Sequence, residues 1–218
     1  MTVTPVVVPA TGLELPGELV LPDQPVGVVA FAHGSGSSRH SPRNRFVAAA
    51  LEEAGLGTLL FDLLTPAEEH DRANVFDIAM LGARLSDAVS WLTQWPTTSS
   101  LPIGLFGAST GAAAAVIAAG APESPVHAVV SRGGRPDLAA DSLPAVSAPT
   151  RLIVGARDEP VLTWNREAAK RLTCEHDVHI VPDATHLFEE PGALDAVAEL
   201  ARDWFLAHLA AAGSRSSS

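Results

Sequence analysis

Ser109 lies in the run Gly107-Ala108-Ser109-Thr110-Gly111, which has the spacing G-x-S-x-G. A serine hydroxyl is a weak nucleophile until a base takes its proton and a third group holds that base. The two glycines suit a very tight turn, because side chains two positions either side of the serine would collide across it. Placed between a buried strand and a buried helix, such a turn lifts the hydroxyl to the rim of a sheet for covalent acyl transfer. The bland alternative is a glycine-bounded turn with an idle serine, since a five-residue pattern also arises by chance.

A base and an acid are both available downstream, in the chain order this turn requires. "LIVGARDEPV" places Asp158 just past a strand end, and "IVPDATHLFEE" places His186 in the loop after the last strand. Glu159 and Asp183 are the competing acids, and both sit less well after their strands. His33, His40, His70, His127, His176, His179 and His208 compete with His186. Of these, His127 begins a strand, His176 and His179 flank or enter one, and His208 lies on the last helix.

An oxyanion formed during acyl transfer needs two backbone N–H donors. One is expected from Thr110, the residue after the nucleophile, and the other from Ser35 in the loop His33-Gly34-Ser35-Gly36. Gly34 and Gly36 let the main chain come close to a substrate. The same loop is no phosphate cradle: Arg39 stands where G-x-G-x-x-G needs its third glycine, and no G-K-[S/T] follows. Arg39, His40, Arg43 and Arg45 crowd the start of a helix, where positive charge opposes the macrodipole. Arg132 and Arg135 follow the sixth strand. The ordinary reading is a solvated face with local carboxylate partners; the other is that Arg132 or Arg39 orients a substrate carboxylate.

These residues need a scaffold, and the hydrophobic pattern supplies one. Short apolar runs alternate with helical periodicity, as in a mostly parallel α/β sheet. "TPVVVPA" and "LELPGELVLP" read as an opening antiparallel pair, followed by strands "VGVVAFAH", "GTLLFDLL", "LPIGLFG", "VHAVVS", "TRLIVGA" and "DVHIVP". Ser41-Pro42 offers an N-cap and first-position proline for a helix whose apolar face is Phe46, Val47, Ala50, Leu51 and Ala54. A longer helix buries Ile78, Leu81, Leu85, Val89 and Leu92 and stops before Pro96. The last helix runs from about Gly192 to Ala211 around Leu194, Val197, Leu200, Trp204 and Phe205. One domain over residues 1–212 is expected, with residues 213–218 as a flexible serine-rich tail. Only "SRGGRPDLAADSLPAVSAP" separates strands six and seven, too little for a helical cap, so an open site is expected. The acidic loop "PAEEHDRAN" is expected near its mouth, as a solvated loop.

Of 218 residues, 47% are hydrophobic and 18% charged, a soluble globular composition, and the net charge of −11 disfavours nucleic acid or an anionic membrane as partner. No run reaches the length of a membrane span, and the opening lacks the positive region of a signal peptide, so a cytoplasmic protein is expected. The single cysteine, Cys174, allows no internal disulfide and reads as a packing residue. No histidine–carboxylate group has metal-ligand spacing, so no metal and no cofactor are expected.

Together the oxyanion loop "HGSGSSRHSPRN", the elbow "GLFGASTGAA", and "SRGGRPDLA", "LIVGARDEPV" and "ATHLFEEPGALDAVA" resemble the α/β-hydrolase superfamily. Within it the chain is similar to the small dienelactone hydrolase-like group, over about residues 5 to 207. In that group a similar domain also occurs fused to a phosphoribosyltransferase domain, which these residues do not contain. The resemblance implies an eight-stranded sheet with helices on both faces and an acyl-hydrolysing triad. Dienelactone hydrolases carry a cysteine nucleophile, whereas this position is Ser109, which favours general ester or lactone hydrolysis over dienelactone. The expected substrate is therefore a small ester or lactone, with an anionic group if the arginines serve it. A binding or regulatory module without useful turnover, and acyl transfer to an acceptor other than water, are the competing functions. The sequence does not set the oligomeric state.

Overall fold

The computed structural model describes residues 1–215. Eight strands form one sheet in the order β1-β2-β4-β3-β5-β6-β7-β8. β1 (Thr2–Ala10) and β2 (Leu13–Leu21) are antiparallel to each other, and β2 runs antiparallel to β4 (Gly57–Phe61). From there β3 (Val28–Ala32), β5 (Ile103–Ala108), β6 (Val126–Arg132), β7 (Thr150–Gly155) and β8 (His176–Val181) are parallel. Every residue of β3, β4 and β5 is buried, which is why these strands read as continuous apolar runs rather than alternating ones.

Helices cover both faces. α1 (Pro42–Glu53) and α6 (Ala193–Arg215) pack Val47, Leu51, Val197, Trp204 and Phe205 onto one face. α3 (Ile78–Gln94), α4 (Thr110–Ala119) and α5 (Glu159–Ala169) pack the other, together with the short α2 (Arg72–Val75) beside its edge. α1 starts as its sequence dictates: Ser41 Oγ accepts the Asn44 N–H at 3.3 Å, and Pro42 occupies the first turn. Its buried face differs from expectation. Asn44 and Ala48 are inside, whereas Phe46 is 44% exposed, so the helix is rotated to put its first turn against β6 rather than its phenylalanine against the core. Burial of Leu81, Leu85, Val89 and Leu92 on α3 matches the pattern in the sequence, with Ile78 partly buried at its start. α6 continues through Arg215, beyond the expected boundary at 212, and residues 216–218 of the expected tail lie outside the described residues. None of the described helices is long and apolar enough to cross a membrane.

Only short 3₁₀ turns at Pro136–Ala139 and Leu143–Ala145 lie between β6 and β7, so no cap domain covers the sheet's carboxyl edge. The acidic loop after β4 is largely exposed, as expected of a solvated loop, but Glu68 anchors it to the body of the protein. Arg84, 3% exposed on α3, donates Nη1 to Glu68 Oε2 at 2.9 Å and Nη2 to Glu68 Oε1 at 2.6 Å, and Nη1 also reaches the Leu63 carbonyl at 2.7 Å. That fork holds the Glu68 carboxyl down at about 2, with further help from the Thr65 N–H and hydroxyl. A carboxyl depressed in the folded state stabilises the fold above its unfolded value, and the contribution disappears as pH falls toward the folded value. The stabilisation from Glu68 is therefore complete above about pH 5 and lost between there and about pH 2. Glu68→Gln is expected to cost about 2 kcal/mol at neutral pH, by leaving buried Arg84 without its counter-charge. Thermal unfolding of both proteins across this pH range should show their difference shrinking steadily on acidification.

Candidate active site

The turn between β5 and α4 is set by close backbone approach. A Cβ on Gly111 would lie 2.1 Å from the Ala32 carbonyl oxygen, and one on Gly107 would lie 2.5 Å from Ala112 Cα. Only hydrogen fits at either position. Ser109 between them has φ 51 and ψ −120, a strained conformation for a residue with a side chain. Backbone bonds on both sides hold it: its N–H donates to the Arg132 carbonyl at 3.2 Å, and its carbonyl accepts from Ala112 at 3.1 Å and Arg135 at 3.0 Å.

Asp158 follows β7 and stands at the N-cap position of α5, yet its carboxylate caps no amide. Pro160 in the first turn has no N–H to be capped, which lowers the demand. The carboxylate reaches the His186 ring instead, with Nδ1 to Oδ2 at 2.6 Å. Of the competing acids, Asp183 pairs with Arg157 at 2.8 Å, and Glu159 does not contact the imidazole. The loop carrying His186 is pinned after β8 by the Ala156 N–H on Val181 O and the Arg157 N–H on Ala184 O, both at 2.9 Å. His186 is 39% exposed at the side chain and Asp158 only 12%. Ser109 and His186 line one cleft of about 230 Å³ with Gly34, Ser35 and Arg132. Among the described residues no hydrogen bond joins the Ser109 hydroxyl to the imidazole, a link that in such sites commonly tightens only with substrate.

The Gly34–Gly36 loop is held from below by His33. Its buried ring accepts the Leu63 N–H at Nε2, 2.9 Å away, so the proton sits on Nδ1, which donates to the Gly34 carbonyl at 3.1 Å. Burial holds His33 below its ordinary range, in the neutral form this pairing needs. Gly34 comes so near the nucleophile that a Cβ there would lie 3.0 Å from Ser109 Cβ. Thr110 begins α4, where its amide has no intrahelical acceptor. The Ser35 amide donates to Thr110 Oγ1 at 2.9 Å, an acceptor the sequence did not disclose. Gly36, with φ +67, lines a second cleft of about 280 Å³, walled by Leu63, Leu64, Val75 and Leu81. Its edge includes Glu69 from the acidic loop.

The arginines separate. Arg39 is not among the residues of either cleft, and its guanidinium and its N–H both engage Asp62. Arg45 pairs with Glu18 and Arg135 with Asp137, as a solvated face would. Arg132, by contrast, is 7% exposed and lines the cleft with Ser109 and His186. Arg43, one of the basic group at the start of α1, lines it too, as does Asn44, which the sequence reading did not single out. The signal that could have exposed Asn44 was a polar residue on the inward face of α1.

The model of the alpha/beta hydrolase domain matches residues 25–210. The chain belongs to that family. A crystal structure of dienelactone hydrolase from Anabaena variabilis superposes with TM-score 0.92 at 53% identity, covering 95% of this chain and 98% of that one. Est1E from Butyrivibrio proteoclasticus shares the fold with TM-score 0.79 at 15% identity, over 93% and 97% of the two chains. Proteins of Mycobacterium tuberculosis strains CDC 1551 and H37Rv, both named as phosphoribosyl transferases, are 60% identical over 197 residues, 90% of this chain. The chain spans 44% of the length of those relatives. In this alpha/beta hydrolase domain the elbow holds Ser109 under backbone strain. Gly111→Ala is expected to cost about 3 kcal/mol or more, against about 1–2 for Ala115→Gly in the same helix. Urea unfolding of the two variants would measure the difference.

Proposed function

We propose that this alpha/beta hydrolase domain is a serine hydrolase of small carboxylic esters or lactones. The observation that carries the reading is the 2.6 Å contact between His186 Nδ1 and Asp158, with that imidazole facing the same cleft as the strained Ser109. In this reading Ser109 Oγ attacks the carbonyl carbon while His186 Nε2 takes its proton. Asp158 fixes the tautomer and offsets the imidazolium charge. The tetrahedral oxyanion is met by the Thr110 amide and by the Ser35 amide, which exchanges its Thr110 Oγ1 acceptor for the stronger negative charge. Collapse expels the alcohol, which takes the proton from His186 and leaves an acyl group on Ser109. Water then gives a proton to His186 and attacks the acyl carbon; collapse breaks the bond to Ser109 Oγ, which takes that proton from His186 as the acid is released. In a lactone, acid and alcohol stay in one molecule.

The open carboxyl edge and the two modest clefts support small, accessible substrates rather than long buried chains. A serine in place of the cysteine of dienelactone hydrolases supports ester and lactone hydrolysis in general. Fluorophosphonate labelling tests the nucleophile: one equivalent on Ser109 is expected, and none on Ser109→Ala. Asp158→Asn should lower kcat on a nitrophenyl ester by about 10³–10⁴, through loss of the productive tautomer. Wild-type protein that resists labelling and turns over no member of an ester and lactone panel would overturn the reading. That result would favour a hydrolase fold kept as a binding module.

A further inference from the structure

The cleft beside Ser109 holds a buried cation, Arg132, that no carboxylate pairs with among the described residues. Arg132 is the last residue of β6, in register beside Ala108, and its carbonyl accepts the Ser109 N–H at 3.2 Å. Its side chain therefore starts next to the nucleophile. Its hydrogen-bond partner is neutral, Asn44 Oδ1 at 3.4 Å, and its Nε is buried with no partner. The Phe188 ring lies 5.9 Å from its guanidinium carbon, a weak compensation. Its charged neighbour is another cation, Arg43, whose buried Nε is also without a partner. Burial and that like charge pull Arg132 down to about 10, so it remains a cation at neutral pH.

Burying a guanidinium this way costs several kcal/mol unless a counter-charge arrives. Elsewhere the protein supplies one: Arg84, equally buried, has Glu68, and Arg39 has Asp62. Beside Arg132 the wall is made of Ser37, Ser41, Arg43 and Asn44, all donors or neutral groups. The first turn of α1 adds the positive end of its dipole and contains no acid. Glu189 meets Arg43 Nη1 at 3.4 Å and is itself 66% exposed. Across the Gly34–Ser35 loop lies the second cleft, with its leucine and valine walls.

We propose that this cleft is a built subsite for a compact oxyanion group of the substrate, a carboxylate or a phosphate, received by Arg132 and Arg43. The inference rests on the ester or lactone reading above and names its substrate class: acidic esters or lactones. The charged end is held at β6 and α1, the reacting carbonyl lies over Ser109, and a short apolar portion enters the second cleft.

The test compares kcat/KM within matched pairs. Mono-4-nitrophenyl glutarate against 4-nitrophenyl valerate places the charge on the acyl side; 4-acetoxybenzoate against phenyl acetate places it on the alcohol side. Each ratio is divided by that for hydroxide-catalysed hydrolysis. The wild type is expected to favour the acidic member of at least one pair by about ten-fold or more. Arg132→Gln should erase most of that preference. Should this buried variant fail to fold, Arg43→Gln, 35% exposed at its side chain, should reduce the preference about three-fold. Competitive inhibition by glutarate or by inorganic phosphate tells which oxyanion fits. Ratios near one in both pairs, or a preference that survives in folded Arg132→Gln, overturn the subsite.

If no ester is turned over, the hydrolase reading fails and the subsite is judged on binding alone. Glutarate or phosphate in excess should then raise the Tm of wild-type protein and not of Arg132→Gln; no shift in the wild type overturns it.

Discussion

The structure depends on one close approach, that of the first turn of α4 to the end of β3. Because Gly111 has no side chain, its Cα sits against the Ala32 carbonyl, and Gly107 does the same against Ala112. This contact forces Ser109 into a conformation that costs about 1–3 kcal/mol. The strain is held by bonds from neighbouring segments, the Arg132 carbonyl on one side and the Arg135 and Ala112 amides on the other. The packing of alanines 112–115, all essentially buried, brings α4 flat onto the sheet and makes the turn the only way out. Stability is thus concentrated around the residue that the turn exposes.

Parallel topology does the next part. In a sheet whose central strands run the same way, every carboxyl end opens on one edge. Ser109 after β5, Asp158 after β7 and His186 after β8 reach a common rim with no long connection. The same topology places Arg132, at the end of β6, between the strand before Ser109 and the strand before Asp158. His33, just past β3, locks the Gly34–Gly36 loop to the start of the loop after β4. Neighbouring strands each deliver one group, and the helix dipole of α4 points at the space they enclose.

Much of this was legible in the sequence because it follows from local rules. The order of strands and helices came from periodicity, the start of α1 from Ser41-Pro42, and the elbow from its glycines. Asp158 and His186 were readable because both stand just after apolar runs, in the right chain order. Details that depend on three-dimensional partners were not. Phe46 satisfies a helical pattern on paper, yet the rotation of α1 is decided by Asn44 turning in to meet Arg132. Arg39 and Arg132 look equivalent as charges beside a loop, and only Asp62, 23 residues from Arg39 in the chain, separates them. Ser35 was legible as a loop amide, but its acceptor on Thr110, 75 residues away, was not. The acidic loop gave no sign that Glu68 would close over a buried arginine on α3.

Arg84 and Arg132 form a comparison within one molecule. Both are buried to a similar degree, at 3% and 7% exposure, and both emerge from regular elements. Arg84 has a bidentate carboxylate and a backbone carbonyl, so its charge is answered and its role is to fasten the loop that walls the second cleft. Arg132 has a long contact to an amide oxygen and a cation for a neighbour. If stability alone shaped the interior, a neutral side chain of similar volume would fit the end of β6 without the desolvation cost. Local rules are broken in folded proteins chiefly where a site needs them broken. Here the broken rule lies one hydrogen bond from the main chain of Ser109, in the cleft His186 also lines, where a charge missing from the protein can be brought by a substrate.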